Sequence, residues 1–117
     1  MEVAYSPDCF TIISCLLFMV MDFASGLVKA AKNKAISSTV MREGLFNKAS
    51  LVLVILLAIM CEATMTHFDI GMDLPLVVPV CAYIVLMEVA SILENVREIN
   101  PQLSDSKVLG LFKKKGL

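Results

Sequence analysis

No lysine or arginine occurs before Lys29, and none occurs between Lys48 and Arg97. The intervals without basic residues are filled by apolar runs, and three of these, residues 9–28, 49–68 and 74–93, reach the length of a membrane span. At roughly 1.5 Å rise per residue, about 20 helical residues cross a hydrocarbon core of about 30 Å. A water-soluble domain of 117 residues has a large surface to cover with polar groups, whereas this chain is 58% hydrophobic and 18% charged. The apolar excess therefore faces lipid. The expected fold is an all-α membrane protein with three transmembrane helices, a single membrane domain over residues 1–117, with a basic loop at 29–48 and a tail at 96–117.

Local signals support these limits. Ser6 can cap the first helix, with Pro7 at its first position and Asp8 at the positive end of its dipole. Gly71 breaks the short polar turn between the second and third spans, which form a helical hairpin. Pro75 is expected in the first turn of the third helix, and Pro79 is expected to bend that helix near its start. The acidic opening residues lack the positive region of a secretory signal, so the first apolar stretch is expected to be retained.

Charge sets the orientation. Lys29, Lys32, Lys34, Arg42 and Lys48 lie between the first two spans, and Arg97, Lys107, Lys113, Lys114 and Lys115 follow the third. All ten basic residues thus share one side, while Glu2, Asp8, His67, Asp69 and Asp73 fall on the other. The positive-inside rule makes the basic side cytoplasmic, leaving the N-terminus outside and the C-terminus inside. Lys29, Lys32, Lys34, Arg42, Lys48, Lys113, Lys114 and Lys115 are the expected contacts to anionic headgroups, at about 1 kcal/mol each near the surface. The loop apolar residues Ile36, Val40, Met41, Leu45 and Phe46 make no clean face, so residues 29–48 read either as an interfacial helix or as a solvated connector. After Pro101, Asp105 can cap a short membrane-surface helix that runs into the terminal lysines.

Several function classes lose support. Basic residues beside apolar spans are the pattern of a membrane protein, and no nucleic acid is expected as partner. Cys9, Cys15, Cys61 and Cys81 show no C-x-x-C spacing and fall in apolar segments, which favours free thiols. No metal or cofactor is expected, and no catalytic arrangement can be assembled, so enzymatic activity is not expected.

Each span carries one carboxylate: Asp22, Glu62 and Glu88. An aspartate at mid-bilayer costs about 2.5–3.5 kcal/mol on insertion scales, and no basic residue lies within a span to offset it. Along the first span Thr11, Ser14, Asp22 and Ser25, with Lys29 just past its end and Gly26 beside them, recur at helical spacing and make a narrow polar seam. In the third, Glu88, Ser91, Asn95 and Glu98 make another. Such seams either hold the three helices of one chain together or join subunits and border a lumen. Glu62, the deepest carboxylate, also admits a reading as the proton carrier of a small proton-coupled transporter.

The residues Asp22-Phe23-Ala24-Ser25-Gly26, then Lys29-Ala30, Asn33-Lys34, Ser37-Ser38, Gly44-Leu45 and Asn47-Lys48, resemble the Asp-x-x-[Thr/Ser]-Gly motif and basic loop of the small three-span holins of toxin secretion and phage lysis. Glu88-Val89-Ala90-Ser91-Ile92-Leu93-Glu94-Asn95 is similar to the closing signature of that family. The resemblance covers roughly Met21 to Pro101, and Asn100-Pro101 departs slightly from the small residue often found before that proline. It implies a non-enzymatic multi-pass protein of the bacterial cytoplasmic membrane. Such a protein self-associates into homo-oligomers and opens lesions through which an endolysin or a large toxin leaves, without binding that cargo directly. An antiholin shares the architecture and inhibits instead.

Overall fold

The computed structural model describes residues 5–69, 71 and 74–105. Among these residues the chain is helical without strands: α1 spans Cys9–Lys32, α2 Ser38–Phe68 and α3 Val77–Ile99, and a 3₁₀ turn over Pro101–Asp105 follows. All three α-helices are long and apolar enough to cross a membrane. The expected surface helix of the tail, with Lys107, Lys113, Lys114 and Lys115, lies outside the described residues, as does Asp73.

The helix limits differ from the sequence expectation at several points. Asp8, rather than Ser6, caps α1: its carboxylate accepts from the Thr11 backbone N–H at 3.2 Å and from the Thr11 hydroxyl at 2.8 Å. These two hydrogen bonds hold the exposed Asp8 carboxyl below the usual carboxylate range. Pro75 precedes α3, and Pro79 falls within its first turn. An N–H there would have no intrahelical partner, so Pro79 disrupts no ladder and the expected bend has no cause.

The largest difference is in α2, whose 31 residues extend about 46 Å, well beyond a hydrocarbon core of about 30 Å. Most of the segment expected as a basic loop is helix, because α1 continues to Lys32 and α2 begins at Ser38. Ser37 caps α2, its hydroxyl accepting from the Val40 N–H at 3.1 Å. The connection is a tight reversal at the end of α1, where the Ala35 N–H reaches the Ala30 carbonyl at 2.8 Å and the Lys34 N–H reaches Ala31 at 3.2 Å. Lys34 takes the left-handed conformation there, at φ 54°, a position that glycine fills most readily.

α1 and α3 run parallel and pack along most of their length, and α2 runs antiparallel against them, chiefly along α3. Each helix presents a face that repeats every three or four residues: Cys15, Met19 and Asp22 on α1; Lys48, Ile55, Ala58 and Glu62 on α2; Val77, Cys81, Ile84, Glu88, Ile92 and Asn95 on α3. This spacing keeps the same side of a helix against its neighbours over several turns. The middle of the bundle is apolar, with Cys15, Met19, Ile55, Ala58, Val77, Cys81 and Ile84 buried together. All four cysteines are free, and Cys15 of α1 and Cys81 of α3 are buried in the same apolar core. Phe10, Leu17, Leu53, Leu57, Met60 and Leu86 stand exposed on the outside, as lipid-facing residues do.

Candidate functional site

The polar groups gather at the two ends of the bundle. At the basic end, where α1 and α3 terminate and α2 begins, five side chains from all three helices converge. Asp22 and Ser25 lie one turn apart on α1, and the Ser25 hydroxyl donates to the Asp22 carbonyl at 3.0 Å. Glu88 and Asn95 lie two turns apart on one face of α3. The Asn95 amide donates to the Ser25 hydroxyl at 2.9 Å and to the Asp22 carboxylate at 3.2 Å, tying α3 to α1. From α2, the Lys48 ammonium donates to the carboxylates of both Asp22 and Glu88, the latter at 2.5 Å.

Burial makes these contacts strong. The side chains of Lys48, Asp22 and Glu88 are 16%, 15% and 5% exposed. A carboxylate as enclosed as Glu88 cannot keep its charge without a partner, and one ammonium serves both acids. Lys48 stands one residue before the expected second span, so the apparent lack of a basic partner within the spans is corrected here. Expected among the headgroup contacts, Lys48 instead turns its charge inward, into the bundle. The signal that could have found it is the Ser37 cap. Once α2 starts there, Lys48 falls 14 residues before Glu62, about four turns along the same face.

Around this cluster the basic end is closed by further contacts. Lys32 donates to the Glu98 and Ile99 carbonyls at 3.0 and 2.8 Å, satisfying the last turn of α3. Lys29 pairs with Glu98 at 3.3 Å, a half-exposed contact of small energetic weight. Lys34 and Arg42 are exposed. A cleft of about 340 Å³ opens beside the cluster, bordered by Phe23, Gly26, Lys29, Asn33, Asn47 and Lys48. Asp22 and Asn95 also line it, so the edge of the cluster borders this cleft. Gly26 faces Asn95 on α3, and a Cβ there would stand 3.7 Å from the Asn95 amide nitrogen, an ordinary contact that leaves room for a methyl group but not for a larger side chain.

The remaining seam residues stay apart from the cluster. Thr11 is at the opposite end, bonded to Asp8, while Ser14 and Ser91 are half-buried on their helices. Glu62 is also at the opposite end. Its carboxylate accepts from the Leu76 N–H at 2.7 Å and from the Tyr5 hydroxyl at 2.9 Å. Leu76 occupies the cap position just before α3 and offers no side-chain cap of its own, so a carboxylate from α2 takes that place and meets the positive end of the α3 dipole. The Tyr5 phenol is pushed up to about 12, first by burial and then by its hydrogen bond to Glu62 and the negative charge there. Among the described residues, no three His, Cys, Asp or Glu side chains are grouped to hold a metal ion.

The model of the bacteriophage holin family matches residues 5–108. The chain belongs to that family. The match takes in all three helices and every member of both polar clusters, and it contains the stretch from Met21 to Pro101 whose motifs resemble three-span holins. No curated protein and no solved structure matches the chain. As a holin-family member it is a multi-pass membrane protein whose apolar helices enclose charge at one end.

Proposed function

We propose that this chain is a holin in action as well as in family: it accumulates in the bacterial cytoplasmic membrane, associates with copies of itself and opens lesions through which an endolysin or a large toxin escapes. The N-terminus faces outward and the basic end lies in the cytoplasm, by the positive-inside rule. The protein performs no chemistry on its cargo and is not an enzyme.

The observation that carries the reading is the family match over a chain whose three helices are all apolar enough to span. The polar cluster suits it physically. In one chain, Asp22, Ser25, Glu88 and Asn95 satisfy each other and Lys48, so the monomer presents a lipid-compatible exterior. The same side chains can line water once helices rearrange between subunits. Glu62 caps α3 and holds Tyr5, a structural duty that accounts for this carboxylate without a role in proton-coupled transport.

The test uses purified chain in vesicles loaded with both a small dye and a folded protein. Release of both cargoes, rising steeply with the number of chains per vesicle, is expected. Release of dye alone at every density would identify a narrow conducting pore, and retention of both would reject lesion formation.

A further inference from the structure

The two polar ends divide the bundle unequally. α1 and α3 are tied at the basic end by Asn95 to Asp22 and Ser25, by Lys29 to Glu98 and by Lys32 to the last carbonyls of α3. The hydrogen bonds and ion pairs described between α2 and these two helices come from Lys48 and Glu62 alone. Between those residues, α2 offers Leu51, Val52, Ile55, Ala58 and Ile59, all apolar. Lipid tails are as apolar as these side chains, so burying them against protein instead of lipid gains little beyond packing. Polar contacts therefore decide whether α2 stays, and they sit at its two ends.

We propose that α2 is the detachable element of this fold, held to a fixed α1–α3 pair by two polar pins, Lys48 and Glu62. Releasing the pins uncovers Asp22 and Glu88 on the fixed pair and leaves Lys48 on the moving helix. Lys48 of one copy can then meet Asp22 and Glu88 of another, which converts a contact within the chain into one between chains. This deepens the lesion reading by naming the part that moves.

The test places spin labels on the full chain in phosphatidylglycerol-containing vesicles, at Val20→Cys on α1, Leu53→Cys on α2 and Leu86→Cys on α3, all exposed positions. The exposed Cys9 and half-buried Cys61 are replaced by alanine, while the buried Cys15 and Cys81 are kept. Distances are compared with and without the paired changes Lys48→Met and Glu62→Leu, in chains that carry Asp22→Asn and Glu88→Gln so that the two acids do not repel each other across α1 and α3. The α2-to-α3 separation is expected to grow by at least a helix radius, roughly 5 Å, while α1-to-α3 stays unchanged. An unchanged α2-to-α3 separation overturns the proposal, and so does an equal opening of α1 from α3, which would mean general unfolding. The distances do not depend on lesions, so failure to release cargo would sink the holin reading while these distances alone decide the present one.

Discussion

Lys48→Met removes the one ammonium shared by Asp22 and Glu88. Because both carboxylates reach the same nitrogen, their oxygens can be no more than about 5–6 Å apart. Coulomb's law at an effective dielectric constant of about 20 gives about 3 kcal/mol of repulsion for two unit charges at that range. Removing one partner from a buried ion pair costs 3–5 kcal/mol in other proteins, in rough agreement. The variant is therefore expected to lose about 3 kcal/mol, close to a hundredfold in the folded-to-unfolded ratio, unless one acid takes up a proton. The cost should be largely reversed by adding Asp22→Asn and Glu88→Gln, since no orphaned charge then remains. Denaturation in detergent, followed by circular dichroism on the single, double and triple variants, measures this as a mutant cycle. If Lys48→Met costs under about 0.5 kcal/mol, or if the triple variant is as unstable as the single one, the shared-ammonium account is refuted.

Other substitutions test neighbouring contacts. Gly26→Ala should be tolerated, because its Cβ meets Asn95 at ordinary contact distance, whereas Gly26→Leu should push Asn95 away and cost about 1–3 kcal/mol in the same denaturation assay. Lys34→Gly should stabilise by about 0.5–1 kcal/mol, because it relieves a left-handed lysine at the end of α1; a lower melting temperature would argue against that conformation. In a Tyr83→Phe background, phenolate absorbance should place the Tyr5 transition near pH 12, and Glu62→Leu should lower it only in part, since burial, the first cause of the rise, remains. Since the folded value is raised, the contact stabilises fully below pH 10 and is lost as pH climbs through about 12. A Tyr5 transition at 10 with Glu62 intact would show that the two do not meet.

The spans were legible because lysine and arginine avoid the bilayer, and their two long gaps, the second divided by the polar turn around Gly71, mark three helices without any knowledge of contacts. The start of α2 was not legible from periodicity, since Ile36, Val40, Met41, Leu45 and Phe46 form no single face. Ser37 at the cap and the approach of Gly44 to the Phe23 ring accompany the helix there. The polar faces of α1 and α3 could be read from their spacing, but their partner could be read only once Ser37 is taken as the cap of α2. Lys48 obeys the charge rule that places lysines beside headgroups, and only the antiparallel placement of α2 turns it toward Asp22 and Glu88. Glu62 invited a proton-carrier reading for a related reason. A sequence shows that a carboxylate is deep, whereas its use as the cap of a neighbouring helix depends on where that helix begins.

The most direct measurement follows membrane potential and the escape of a folded cytoplasmic reporter enzyme together, after induced expression of the chain in a bacterium. The account predicts normal growth while the protein accumulates, then abrupt depolarisation with reporter escape in the same interval. Continued growth with the potential intact, at membrane levels of the protein comparable to those that release cargo from vesicles, would contradict it.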